Sequence, residues 1–167
     1  MFELKTITPA GVPAALKKAE RYRLLNDSAA AESICRDVLA VDEENQSALV
    51  TLLLAITDQF RDHRSDGVSD ARAVLERLSD EYTRCYYAGI ICERRAMAVL
   101  HRLSPGAGEV AYEWLREAMS WYERAEVIRP AANDEAILRW NTCVRVIRHY
   151  PTLRPAPDRE YEPAIED

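Results

Sequence analysis

The chain has 167 residues and a formal net charge of −6, so its length predicts one domain that needs neither disulfides nor a structural metal. Hydrophobic residues make up 48% of it, which excludes a wholly disordered chain, and the acidic balance argues against nucleic-acid binding. Glycine is scarce, at 5 residues, while Ala, Leu, Glu and Arg are abundant, a composition that favours helices.

Seven helices are predicted, and turn and capping residues separate the first three. The first is expected over residues 13–25 and opens on a proline, which is favoured in the first turn of a helix. The Asn-Asp-Ser sequence at 26–28 supplies the turn and the N-cap of a second helix, 29–41. A polar break at 42–45 caps the third helix, 46–60, which is apolar nearly all round and therefore indicates an element covered on several sides.

Four more helices follow, and the fifth is expected to be the longest. The fourth covers residues 69–78, and the fifth runs from a Ser-Asp cap to about residue 103, that is, over 79–103. A narrow seam along the fifth helix suits close packing against a neighbour, and it consists of Cys85, Gly89, Cys92, Ala96, Val99 and Leu103. The sixth helix is expected over 109–128 and the seventh, capped by Asn133, over 134–150. No stretch is typical of a strand.

The residues after the seventh helix differ in composition from the rest of the chain. The segment 151–167 holds four of the eight prolines, and its two arginines against five acidic residues give it a net charge of −3. We therefore expect residues 1–12 to be a lead-in and residues 13–150 to be a helical domain. Residues 151–167 are expected to form an acidic, proline-rich tail that is extended rather than packed.

The cysteines and the N-terminal residues bear on the cellular compartment. No two of the four cysteines form a Cys-x-x-Cys motif, so all four are expected to be buried as small hydrophobic residues. The N-terminal segment has no basic stretch followed by an apolar run, and the longest near-apolar stretch, 48–56, is about half of the ~20 residues that a membrane span needs. We expect a reduced, cytoplasmic protein that binds neither membranes nor nucleic acid.

Small and aromatic residues recur at spacings known from helical-repeat proteins. By hairpin, the matching residues are Ala19 and Tyr22 with Ala31, Cys35 and Val38; Leu49, Leu52 and Ile56 with Ala71, Leu75 and Leu78; and Ala118, Tyr122, Ala125 and Pro130. On these residues the chain resembles a tetratricopeptide-repeat (TPR) protein over residues 13–149. The resemblance implies an all-α fold in which antiparallel helical hairpins stack as a short TPR-like solenoid.

The repeat length leaves two other helical architectures open. The spacing from Ala31 to Ala71 is 40 residues and that from Ala71 to Ala118 is 47 residues, both longer than the ~34 of a regular TPR. These spacings fall in the range of HEAT repeats. A lengthened HEAT-like solenoid and a plain helical bundle are therefore the alternatives.

In TPR proteins the first helix of each hairpin lines a concave groove that holds an extended peptide or a helix of a partner protein. Carried over from that register, the groove residues are Glu20, Arg23, Thr57, Asp58, Tyr86, Tyr87, Glu93, Arg94, Asn141 and Arg145. Tyr86, Tyr87 and Arg94 form the most suggestive patch, since Tyr and Arg are enriched where binding energy concentrates. The expected function is a non-enzymatic interaction module: an adapter, a chaperone-like protein or an assembly subunit.

No catalytic or metal-binding motif is evident in the sequence. The three histidines are His63, His101 and His149. None of them stands in a Glu-x-x-His or His-Glu-x-x-His pattern, and we expect no cofactor, no metal ion and no enzyme activity. The alternative is an all-helical enzyme or a small-ligand or metal sensor, with a site between helices 5 and 6 that uses Cys85, Cys92, Tyr86 or His101. A third hypothesis makes the tail itself a ligand, docking in the groove of another copy or in its own.

Overall fold

The computed structural model describes residues 2–62, 67–102 and 104–156, and over these residues the chain forms seven α-helices and no strand. The helices are α1 (Val12–Leu24), α2 (Ser28–Val41), α3 (Gln46–Asp58), α4 (Gly67–Glu76), α5 (Glu81–His101), α6 (Ala107–Val127) and α7 (Glu135–His149). A short 3-10 helix, Pro9–Gly11, precedes α1. The predicted all-α class with about seven helices is confirmed, and each helix end lies within about two residues of its expected place.

Side-chain caps begin three of the helices at residues that the sequence identifies. Asp27 Oδ1 accepts a hydrogen bond of 3.2 Å from the backbone amide three residues later, at the start of α2. Asn45 does the same for α3 at 2.9 Å, and Asp80 does so for α5 at 2.7 Å. Each cap satisfies one of the N–H groups that a helix N-terminus leaves without a partner inside the helix.

The helices pack in chain order around two main clusters of buried side chains. Each helix contacts the next from α1 to α7, and α3 also contacts α1 and α5. One cluster joins α1 to α4 with one side of α5, and the other joins α5, α6 and α7. The predicted all-round burial of α3 is confirmed by its buried residues, which are Ala48, Leu49, Thr51, Leu52, Leu53, Ala55, Ile56 and Thr57.

α5 and α6 share the largest helix interface, and the predicted seam lies in it. Its buried members are Cys85, Gly89, Cys92 and Ala96, Val99 is half-buried, and Leu103 lies outside the described residues. The ring of Tyr122 on α6 occupies the space that a side chain at Gly89 would take. Glycine at this position therefore lets the aromatic ring reach the backbone of α5.

One of the first residues after α7 is packed, and at this residue the expectation of an unpacked tail is wrong. Leu153 is only 5% exposed and belongs to the cluster of α5, α6 and α7. The backbone carbonyl of Thr152 lies against Gly108, where a side chain would overlap it. A single leucine gains ~2 kcal/mol on full burial, and this local gain outweighs the polar, proline-rich character of the segment around it. Residues 157–167 of the predicted tail lie outside the described residues.

Replacing Gly89 with Ala tests the close approach of the two helices. We expect a loss of about 1–3 kcal/mol in the free energy of unfolding, because the added methyl group overlaps the Tyr122 ring. The higher helix propensity of Ala favours the variant by ~1 kcal/mol, so a net loss identifies the overlap. Urea unfolding measures it, with the exposed Ser120→Ala on α6 as a control that changes stability by no more than ~0.5 kcal/mol. A Gly89→Ala protein as stable as the parent would contradict this packing.

Candidate functional site

One carboxylate near the end of α3 ties three helices together. Asp58 Oδ2 accepts a hydrogen bond of 2.7 Å from Nε of Arg23 on α1, and its Oδ1 accepts one of 2.5 Å from Nη1 of Arg94 on α5. The hydroxyl of Ser28, at the start of α2, lies 3.4 Å from Asp58 Oδ2. These four residues are called the Asp58 cluster below. Two guanidinium groups share one carboxylate, so the cluster carries an excess of one positive charge.

Arg94 makes more hydrogen bonds in the cluster than Arg23 does. Its Nη1 also donates to the hydroxyl of Thr57 at 2.6 Å and to the backbone carbonyl of Leu54 at 3.0 Å. Burial lowers the pKa of Arg94, while the negative charge of Asp58 acts in the opposite direction. A guanidinium stays charged in proteins, so Arg94 depends on these oxygen atoms to compensate for the water that it loses.

A second network surrounds Glu93, the residue before Arg94. Glu93 is 9% exposed, and its Oε2 accepts a hydrogen bond of 2.6 Å from the phenol of Tyr122 on α6. Its Oε1 accepts one of 3.2 Å from Nη1 of Arg139 on α7. Burial, and then the charge of Glu93, raise the pKa of Tyr122 far above its ordinary value, so the phenol remains a donor. This Glu93 network joins α5, α6 and α7.

Tyrosine rings lie on α5 between the two networks. The ring of Tyr86 meets that of Tyr87 edge-on, with centroids 5.1 Å apart, and lies 6.0 Å from the ring of Tyr122. Tyr82 stacks on Tyr86 at 6.0 Å, and its hydroxyl donates to Asn133 Oδ1 at 3.1 Å. Tyr86 and Tyr87 are both half-buried. They offer a rigid aromatic surface that is partly open to solvent.

The structure brings most of the predicted groove residues together, but in two different roles. The contacting residues are Arg23, Thr57, Asp58, Tyr86, Tyr87, Glu93 and Arg94. Thr57 and Glu93 are buried with their polar atoms already bonded, so they hold helices together and do not face a ligand. Glu20 is exposed on α1.

The α7 side chain that forms an ion pair with α5 is that of Arg139, which was not among the predicted groove residues. Among the described residues, neither Asn141 nor Arg145 forms a hydrogen bond or ion pair with the Asp58 cluster or the Glu93 network. Arg139 lies two positions before Asn141, on another face of the helix. Tyr122 was noted only as a packing residue. Tyr122 occupies an aromatic position of the repeat pattern, and unlike phenylalanine it carries a hydroxyl group. That hydroxyl group was the feature of the sequence that could have indicated a buried hydrogen bond.

The two thiols proposed for an enzyme or sensor site, those of Cys85 and Cys92, are buried, as is that of Cys143. Burial raises the pKa of Cys92 and of Cys143 to about 12 each, and it raises that of Cys85. Since a thiolate is the nucleophile and the metal ligand, this environment suits packing more than chemistry. The described residues contain no group of three or more His, Cys, Asp or Glu side chains placed to hold a metal ion. His101 is exposed, and His63 lies outside the described residues.

Comparison with protein-family models, with curated proteins and with solved structures finds no match for this chain. None of the described helices combines the length and the apolarity that a bilayer-crossing segment needs. The proposed function therefore rests on the contacts, burial and charges of the described residues.

Replacing Asp58 with Ala tests the Asp58 cluster. The change leaves two guanidinium groups without their carboxylate, and we expect a loss of about 2 kcal/mol in the free energy of unfolding, between the values typical of exposed and buried ion pairs. Adding Arg94→Met to this variant should recover part of the loss, because it removes a partly buried charge that has lost its carboxylate. Glu126→Ala is the control, since it breaks only a surface pair with Arg129 and costs less than ~0.5 kcal/mol. Equal losses in the two single variants would contradict the ties assigned to Asp58.

The raised pKa of Cys143 predicts a pH dependence of stability. The thiol keeps its proton in the folded state up to about pH 12, whereas in the unfolded state it ionises near its ordinary value of 9.0. The contribution is therefore complete below pH 9 and is lost as the pH rises toward 12. Between pH 9.5 and 10.5 the parent should lose about 1 kcal/mol more than Cys143→Ala, since one pKa unit corresponds to ~1.4 kcal/mol. Chemical unfolding at the two pH values measures this difference, and equal losses would show that the thiol is not protected.

Proposed function

We propose that this protein is a non-enzymatic protein–protein interaction module that binds a segment of a partner along the surface formed by α1, α3, α5 and α7. The partner segment is an extended peptide or a helix. In this proposal the helices form stacked hairpins, as in TPR-like proteins, and the odd-numbered helices lie side by side. The observation that carries it is the row of charged and aromatic side chains that these four helices share.

The polar contacts support this arrangement because they connect the odd-numbered helices in order. Asp58 joins α3 to Arg23 on α1 and to Arg94 on α5. Glu93 then joins α5 to Arg139 on α7. The direct packing of α3 on both α1 and α5 agrees with the same order. Side-by-side placement of every second helix is what stacked hairpins require.

Several of these side chains are accessible enough to contact a partner. The exposed fractions are 22% for Arg23, 25% for Asp58 and Arg94, and 39% for Arg139. An open depression of about 730 Å³ adjoins the Asp58 cluster, and its lining includes Arg23 and Asp58. Arginine and tyrosine are the residues that most often carry binding energy, because each combines apolar surface with hydrogen-bond donors. Asp27 and Asp62 also line this depression, so the excess positive charge of the Asp58 cluster is offset there and does not by itself select the charge of the partner segment.

A photo-crosslinking amino acid in place of Tyr86 tests the proposal in the native cell. Benzoylphenylalanine keeps an aromatic ring at this half-buried position, and circular dichroism verifies that the variant remains folded. We expect a covalent adduct with a partner protein, identified by mass spectrometry and recovered in stoichiometric amounts on affinity purification. Charge reversal at the exposed Glu20 should change the yield of this adduct several-fold.

The matched control carries the same crosslinker at Tyr112 on α6, outside the row of odd-numbered helices. Tyr112 is half-buried like Tyr86, so the two probes have comparable access to solvent. The proposal requires the adduct at Tyr86 and its absence at Tyr112. An adduct at Tyr112 alone would place the interface on the even-numbered helices and contradict the proposed groove.

A further inference from the structure

The outer side of α1 carries a basic surface that takes no part in the Asp58 cluster. Ala14, Lys17, Lys18, Arg21 and Leu25 recur at spacings of three and four residues, so they lie on one face of the helix. This face is called the α1 outer face. Residues two positions apart lie on nearly opposite sides of a helix. The α1 outer face therefore points away from the buried Ala19 and from Arg23, which pairs with Asp58.

The positive charges of the α1 outer face are not compensated within the described part of the chain. No described acidic side chain forms an ion pair with Lys17, Lys18 or Arg21. These residues line an open depression of about 520 Å³ together with Ala14, Tyr22 and Leu25. Apolar surface borders the charges, since Leu25 is 64% exposed. The face therefore offers three cations beside apolar contacts.

The segment 157–167 of the sequence has the opposite character. It contains Asp158, Glu160, Glu162, Glu166 and Asp167 against the single Arg159, so its net charge is 1 − 5 = −4. Tyr161 and Ile165 interrupt the acidic residues. Acidic residues alternating with apolar ones match a basic surface with apolar borders in both charge and hydrophobicity.

We propose that the acidic segment 157–167 of one copy docks on the α1 outer face of a second copy. This goes beyond the proposed function, because it uses a different side of α1 and a partner of known sequence. The acidic side chains pair with Lys17, Lys18 and Arg21, and the apolar ones cover Leu25. The contact joins the C-terminal end of one molecule to the N-terminal helix of the next.

The length of the segment favours a second copy over the same chain. Its eleven residues span at most about 36–40 Å when extended. Lying along the α1 outer face from Ala14 to Leu25 uses about 17 Å of this length. This estimate rests on the side-by-side arrangement of the proposed function, in which the path from α7 past α5 and α3 to α1 crosses three helix spacings of about 8–10 Å, about 24–30 Å in all. The remaining ~20 Å do not cover that distance.

Head-to-tail pairing of this kind makes a specific prediction about solution behaviour. The two surfaces differ, so each copy offers one of each, and association increases with protein concentration toward short chains or a closed ring. The charges are exposed, and salt screens them over ~10 Å at 0.1 M and ~3 Å at 1 M. Association should therefore be present at low salt and lost at 1 M salt.

Sedimentation velocity of the full-length protein at several concentrations tests the pairing. The variant Lys17→Glu/Lys18→Glu/Arg21→Glu should raise the dissociation constant of self-association about tenfold or more, as expected for the loss of three surface ion pairs. The matched control is Arg61→Glu/Arg116→Glu/Arg148→Glu, which reverses three exposed charges elsewhere and should leave the constant unchanged. Circular dichroism verifies that all variants keep their helical content.

A mixing experiment identifies the two surfaces directly. The variant Asp158→Lys/Glu160→Lys/Glu162→Lys makes the segment basic and should also be monomeric. When this variant is mixed with the Lys17→Glu/Lys18→Glu/Arg21→Glu protein, each basic surface meets an acidic one, and association should return. Three results would overturn the proposal: a parent protein that stays monomeric at low salt, self-association that survives either substitution, or a mixture that remains monomeric.

Discussion

The contact between Gly89 of α5 and the ring of Tyr122 on α6 is the constraint on which the C-terminal half of the domain depends. Because glycine leaves the surface of α5 open, the ring sits against the backbone and its hydroxyl reaches Glu93, one turn further along α5. Glu93 then binds Arg139 of α7. The close approach of α5 and α6 thus also helps to position α7. A buried carboxylate without such donors would cost several kcal/mol, so the two donors and the close approach stabilise one another.

The Asp58 cluster connects α1, α3 and α5 by polar contacts, as the Glu93 network connects α5, α6 and α7. Unlike the Glu93 network, the Asp58 cluster lies at the surface. Burial of apolar side chains supplies most of the stability of such a domain, and it is insensitive to small rotations of a helix. Hydrogen-bonded ion pairs are directional and therefore define the rotation of each helix about its axis. Asp58 and Arg94 are partly exposed, so their charges both position helices and remain available to a partner. Under the proposed function, the same side chains would combine a structural and a binding role.

Local signals in the sequence predict the helices better than they predict the site. Asp27, Asn45 and Asp80 cap helices through hydrogen bonds that span only three residues, so a short stretch of sequence contains all the information. The segment that carries the buried Leu153 is different, because Thr152 lies against Gly108, which is distant in the sequence, and no local pattern indicates such a pairing.

The site shows the same limit at finer scale. Carrying groove positions over from a family register assigns each residue to a helix, but the rotation of that helix is set by its tertiary contacts. On α5 the register selects Arg94, which is partly exposed, and Glu93, which is buried. On α7 it selects Asn141, whereas the long side chain of Arg139 makes the contact with α5. Neighbouring positions on a helix differ by about 100°, so a small error in rotation exchanges a ligand-facing residue for a structural one.

The first and the last helix differ in how their outer surfaces are covered. At the α7 end the chain folds back and buries Leu153 against α6. At the α1 end an exposed face presents three cations on a chain whose overall charge is −6. In the proposed self-association, the attraction between these cations and the acidic segment 157–167 of a second copy would orient the two copies before they touch. Arg23 and Lys18 lie on different sides of α1, so the two proposed interactions, with a partner along the odd-numbered helices and with a second copy at the α1 outer face, use different atoms of this helix.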